Sequence, residues 1–158
     1  MSKSLKIAIA VIVCLAVGYG AGMATQSSIE TWYPTLIKPV FNPPNWLFAP
    51  VWTLLYVMMG VSAGLVWSKM EVVPLLVKKA LWVFTIQLIL NALWSFLFFG
   101  MCNPFLAFIE ILLLWLMILE TIRLFKPIDA LASKLLIPYL LWVSFATLLN
   151  GSIWWLNR

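Results

Sequence analysis

The sequence predicts an all-α integral membrane protein: a single domain over residues 1–158, built as a bundle of five transmembrane helices. Three observations carry this reading. The chain is 65% hydrophobic and 9% charged, whereas globular proteins are about 45–50% apolar and about 25% charged. Such a chain lacks the charges to cover a water-soluble surface. Five apolar stretches each reach the roughly 20 residues that a helix needs to cross a hydrocarbon core about 30 Å thick. What remains is short connections, with no room for a soluble domain.

The same composition removes several functions. A cytosolic enzyme, a disordered tail and a nucleic-acid binder are excluded, despite a net charge of +5. Histidine is absent, which excludes a histidine-based triad, a histidine-ligated zinc and an axial-histidine haem site. No resident cofactor or metal is called for. Cys14 and Cys102 lie in or beside apolar runs and read as small core residues, since a disulfide framework needs more cysteines.

The first helix is Leu5–Thr25. Lys3 and Lys6 ahead of it and Gly22-Met23-Ala24 at its end also fit a cleaved signal peptide. Its apolar part is longer than a usual signal core, and Gly18-x-x-x-Gly22 suits helix packing, so it reads as retained. The loop 26–45 follows. Pro34, Pro39, Pro43 and Pro44 fix its backbone, and Trp32, Tyr33 and Phe41 give it packing surface. It reads as a stiff lid that caps a cavity and slows ligand exit, or else as an interfacial aromatic belt.

Helix two is Trp46–Trp67, with a stripe of Trp52, Tyr56, Met59, Gly60 and Ala63. Helix three is Ala80–Gly100. Gln87, Asn91, Trp94 and Ser95 share one of its faces. Amides facing lipid are costly, so this face looks inward, to partner helices or to a cavity. Helix four is Pro104–Leu124, entered by the turn Met101-Cys102-Asn103-Pro104 and ended at Lys126-Pro127. It carries Glu110, with no basic residue in any span to pair with, so it is either protonated or bonded to an amide such as Gln87 or Asn91. Helix five is Leu135–Leu156, with Trp142, Ala146, Leu149 and Asn150 on one stripe. Large aromatics beside small residues on three helices suggest an aromatic-lined cavity for a flat apolar ligand; a tryptophan-rich core without ligand is the other reading.

Charge sets the orientation. Lys3, Lys6, Lys69, Lys78, Lys79, Arg123, Lys126 and Lys134 fall on one side, and only Lys38 and Arg158 on the other. The positive-inside rule then puts the N-terminus in the cytoplasm and the C-terminus outside.

One pattern runs through these elements: Trp32-Tyr33-x-x-Leu36-x-Lys38-Pro39-x-Phe41-x-Pro43-Pro44, then Pro50-Val51-Trp52-x-x-Leu55-Tyr56-x-x-Met59-Gly60. It continues as Gln87-x-x-x-Asn91-x-x-Trp94, Phe98-Phe99-Gly100 and Pro138-Tyr139-x-x-Trp142-x-x-Phe145-Ala146-Thr147-x-Leu149-Asn150. It resembles the tryptophan-rich sensory protein family, also called the translocator protein or peripheral benzodiazepine receptor family, over nearly the whole chain. The resemblance implies a five-helix membrane bundle, commonly a homodimer, whose cavity binds porphyrins, notably protoporphyrin IX. It implies a pocket formed by Gly22, Thr25, Trp32, Phe48, Ala49, Trp52, Asn91, Trp94, Ile109, Leu113, Trp142, Ala146 and Leu149. It also implies a photochemical role for Trp52 and Trp142.

Two departures bear on this. The sterol-recognition pattern of animal members needs a tyrosine after the Leu-Asn pair, where this chain has Gly151. Their small-residue motif on helix three aligns with Trp82 and Ile86. With no basic tail after Arg158, these features point to a bacterial member in a bacterial membrane. Three functional readings follow: a porphyrin-binding sensor or transporter that regulates tetrapyrrole metabolism or stress responses, a light-dependent porphyrin-degrading enzyme, and a sterol-handling or structural membrane protein. Ordinary acid–base machinery is missing, which favours binding over dedicated catalysis.

Overall fold

The computed structural model describes residues 1–158, and all of its regular structure is helical. Helix α1 runs Lys3–Thr31, α2 Asn45–Trp67, α3 Pro74–Ser95, α4 Pro104–Phe125, α5 Ala130–Leu135 and α6 Ile137–Leu156. A 3-10 turn, Tyr33–Thr35, follows α1, and a π-helical turn, Phe96–Gly100, extends α3. With that extension, and with α5 and α6 taken together, five segments are long and apolar enough to cross a membrane. The protein is an all-α integral membrane bundle of five spans.

Local chemistry sets the helix starts. The Ser2 Oγ accepts from the Leu5 N–H at 3.2 Å, the Asn103 Oδ1 from Leu106 at 3.1 Å and the Asp129 Oδ1 from Ala132 at 3.0 Å. Each satisfies an amide that the first turn leaves orphaned. Pro74 and Pro104 open α3 and α4, where a missing N–H costs nothing. Pro138, in the first turn of α6, separates the short α5 from α6 within the fifth span.

Several boundaries differ from the sequence reading. Helix α1 continues to Thr31, so the connection to α2 is residues 32–44, shorter than the loop expected over 26–45. Polar side chains carry the extra turns: the Gln26 Nε2 donates to the Glu30 Oε1 at 2.8 Å and the Thr31 hydroxyl to the Ser27 carbonyl at 2.6 Å. Helix α3 starts at Pro74, six residues ahead of the expected Ala80, and takes in Lys78 and Lys79. Cys14 is buried as expected, but Cys102 is exposed, in the turn before α4 with φ of 51°.

Helices α1 and α2 meet backbone to backbone in one half of their length. A Cβ on Gly60 would lie 2.3 Å from the Val11 Cα, and one on Gly64 2.5 Å from the Ile7 Cα. Both contacts are too short for any side chain, so Gly60-x-x-x-Gly64 is the close-packing motif. The sequence reading gave that role to Gly18-x-x-x-Gly22. Gly18 instead makes room for the Tyr56 ring, and Gly22 has open space where a Cβ would stand.

Side-chain bonds cross-link the remaining helices. The Ser62 hydroxyl of α2 donates to the Ala132 carbonyl of α5 at 2.6 Å, and the Ser133 hydroxyl of α5 to the Ile122 carbonyl of α4 at 2.9 Å. The Trp115 indole of α4 donates to the Ser144 Oγ of α6 at 2.8 Å. The main core gathers around Met59, Val66, Ile118 and Val143, and a second cluster of Tyr33, Phe98, Ala107, Leu149 and Ile153 closes the loop end.

Candidate functional site

A cavity of about 850 Å³ lies between α1, α2, α3 and α6, within the roughly 300–1,000 Å³ range of small-molecule sites. Its chemistry is set by aromatic rings. Trp52 of α2 lies tilted against Tyr56 at 5.8 Å and edge-on to Tyr139 at 6.4 Å between centroids. Trp142 of α6 is edge-on to Phe48 at 6.2 Å and packs on Phe145 at 5.5 Å. Trp94 of α3 stacks on Phe98 at 5.4 Å. No charged side chain lines the space.

A hydrogen-bonded chain holds the wall in register. The Tyr56 hydroxyl donates to the Asn91 Oδ1 at 2.5 Å, and the Asn91 Nδ2 donates to the Tyr139 oxygen at 2.7 Å. The Tyr139 hydroxyl in turn donates to the Gln87 Oε1 at 2.8 Å. This chain ties α2, α3 and α6 together and uses both ends of the Asn91 amide, which leaves Asn91 as a fixed wall. The Trp94 indole likewise donates to the Asn150 Oδ1 at 2.9 Å, while the Asn150 Nδ2 donates to the Pro104 carbonyl at 2.9 Å. The Trp142 Nε1 differs: it is buried and has no acceptor.

Ten of the expected pocket residues line this cavity: Gly22, Thr25, Phe48, Ala49, Trp52, Asn91, Trp94, Trp142, Ala146 and Leu149. Three do not. Trp32 packs edge-on against Phe98 at 5.7 Å, behind the lining. Ile109 and Leu113 are 46% and 54% exposed on the outer side of α4, and α4 gives the cavity no residue at all. The face of α4 turned to the bundle is Ala107, Glu110, Ile111, Leu114 and Ile118, so the helix is rotated away from the expected orientation. The loop contributes Tyr33 but none of its prolines.

Lining residues that the sequence reading missed include Leu15, Tyr19, Ile29, Tyr33, Phe98 and Phe145. Part of that signal was present. Leu15, Gly18, Gly22, Thr25 and Ile29 recur at helical spacing on α1, and Phe145 stands one turn after Trp142.

Glu110 is 6% exposed and neither of its carboxyl oxygens has a partner. Of the two alternatives, the bond to Gln87 or Asn91 is not made: the Gln87 Nε2 is itself unpaired, and Asn91 is engaged by the two tyrosines. No group of three or more His, Cys, Asp or Glu side chains converges anywhere in the fold. The arrangement can bind and orient a flat apolar molecule.

Comparison with known proteins agrees with this architecture. The model of the TspO/MBR family matches residues 10–156. The tryptophan-rich protein TspO of Chlorobaculum tepidum is 45% identical over 157 residues, covering 97% of this chain and 96% of that protein. The tryptophan-rich sensory protein of Cereibacter sphaeroides is 37% identical, over 81% of this chain and 78% of its own length. The human translocator protein is 37% identical, over 78% of this chain and 73% of its own. With the match running through all five spans, this chain is a member of the TspO/MBR family.

Proposed function

We propose that this protein is a membrane receptor or sensor that takes a porphyrin, with protoporphyrin IX as the reference ligand, into the cavity between α1, α2, α3 and α6. Its output is regulation of tetrapyrrole metabolism or of a stress response. The observation that carries this reading is the wall itself: Phe48, Trp52, Trp94, Trp142 and Phe145 surround one uncharged space in the bundle interior. Flat aromatic faces favour a flat aromatic guest through offset stacking and edge contacts. The receptor acts as a homodimer, as the family resemblance implies, with its N-terminus in the cytoplasm.

The test is a fluorescence titration of the purified protein with a porphyrin series in the dark. Saturable quenching of tryptophan emission by protoporphyrin IX is expected, and its absence across the series would refute the reading.

A second reading, light-driven porphyrin breakdown, is favoured by the presence of both Trp52 and Trp142 on the cavity wall. An indole close to an excited porphyrin is an electron donor, and Phe is a far poorer one. Trp52→Phe and Trp142→Phe are expected to keep dark affinity within about tenfold, or ~1.4 kcal/mol, while slowing bleaching of the porphyrin band under illumination. Bleaching at the wild-type rate in both variants would reduce these tryptophans to walls.

A further inference from the structure

The cavity is enclosed unevenly. On α3 and α6 every lining residue is buried or half-buried. The exposed lining residues all belong to α1 and α2: Ala16, Tyr19 and Gln26 on the first, Asn45, Ala49 and Thr53 on the second. Tyr19, a cavity residue, is 71% exposed. The two helices touch at Ile7–Gly64 and Val11–Gly60 and again where Tyr56 sits on Gly18. Beyond that point the exposed lining residues Tyr19, Gln26, Asn45, Ala49 and Thr53 mark an open side of the cavity between the two helices, towards the loop end of the bundle. A gap at this position in a spanning bundle opens sideways, onto lipid.

The loop end is closed. Tyr33 is 5% exposed and packs on Phe98 and Phe99. The segment after it is fastened to the end of α6. The Ile37 N–H donates to the Asn157 Oδ1 at 2.9 Å, and the Asn157 Nδ2 donates back to the Ile37 carbonyl at 2.8 Å. Phe41 adds an edge contact to Phe145 at 6.2 Å. The Tyr33 hydroxyl donates to the Asn42 Oδ1 at 3.1 Å, which joins the fastened segment to the roof of the cavity. The loop is therefore a strap across the end of the bundle, and the open side lies elsewhere.

We propose that the cavity exchanges its ligand with the bilayer through the slot between α1 and α2, while the strap keeps the loop end shut. Its ligands are then flat, apolar molecules already dissolved in the membrane. The choice of ligand rests on the porphyrin reading; the slot does not. A residue at the mouth of such a slot sets how fast ligand passes and not how tightly it is held, so on-rate and off-rate move together.

The experiment uses the full chain in lipid vesicles, with protoporphyrin IX as probe. Thr53 is exposed, so Thr53→Trp narrows the slot without entering the core. Tyr19→Ala widens it, and Asn157→Ala releases the strap. Thr53→Trp is expected to lower both the on-rate and the off-rate at least about fivefold, and Tyr19→Ala to raise both. Asn157→Ala is expected to leave both rates unchanged. Faster exchange in Asn157→Ala, with wild-type rates in the two slot variants, would overturn the proposal. A second arm needs no porphyrin. In wild-type vesicles, the emission that Trp142→Phe removes is expected to be quenched by brominated acyl chains and spared by aqueous iodide; the reverse pattern would overturn the slot. Failure of protoporphyrin IX to bind would refute the porphyrin reading, and the quenching arm would then decide the slot alone.

Discussion

Tyr33 sits at the roof of the cavity with its ring between Phe98, Phe99 and the Lys38 ammonium, which lies 4.7 Å from the ring centroid. Burial pushes its phenol above the ordinary 10.0, with the hydrogen bond to Asn42 acting in the opposite direction. The folded loop thus favours the neutral phenol. That stabilisation is complete below about pH 10 and is lost as the pH rises through the raised pKa. Thermal unfolding should show a larger alkaline loss of stability above about pH 10 in wild type than in Tyr33→Phe. Equal losses in the two proteins would assign the effect to other groups. Asn91 gives a second prediction at this scale. Asn91→Leu strands the Tyr56 hydroxyl inside the bundle, takes the donor away from the Tyr139 oxygen, and should cost about 1–3 kcal/mol. Glu110→Gln keeps the shape and breaks no bond, so its unfolding midpoint should not fall. The inward face of Gln87, Asn91 and Trp94 was legible from spacing alone. Its partners, Tyr56 and Tyr139, were not, because partner choice depends on how neighbouring helices are rotated. The same ignorance of rotation put Ile109 and Leu113 in the pocket when they face outward.

At the level of the helix, Gly60 and Gly20 make a matched pair. A Cβ on Gly60 runs into the Val11 backbone, whereas one on Gly20 meets nothing within 4 Å. Gly60→Ala should destabilise the protein by about 1–3 kcal/mol through overpacking. Gly20→Ala should be neutral or slightly stabilising, because alanine is the better helix former. Denaturation of the two variants in detergent checks both; equal stabilities would mean that α1 and α2 do not depend on this contact. The spans themselves were legible because apolar length is read directly from the sequence. Their ends were less so. Residues 26–31 are too polar for a span yet remain helical through local side-chain bonds, and no proline intervenes before Pro34. At α3 the two lysines interrupt the hydropathy but not the backbone, and Pro74 was the true start signal.

Across the whole molecule, the five spans place the two chain ends on opposite sides of the membrane. The lysine and arginine asymmetry predicts that a reporter fused at Met1 is cytoplasmic and one fused at Arg158 is not. Reporters on one side would contradict five spans, and reversed reporters would contradict only the orientation. The central claim is that the space between α1, α2, α3 and α6 is where the ligand sits. Gly22 lines that space, and a Cβ there meets no atom within 4 Å, so the side chain of Gly22→Leu starts in open space and extends into the cavity. The most direct measurement is the dark equilibrium Kd of protoporphyrin IX for wild type and Gly22→Leu, with unfolding midpoints taken alongside. An unchanged midpoint with affinity weakened at least about tenfold, or ~1.4 kcal/mol, is the predicted result; equal affinity in the two proteins would contradict it.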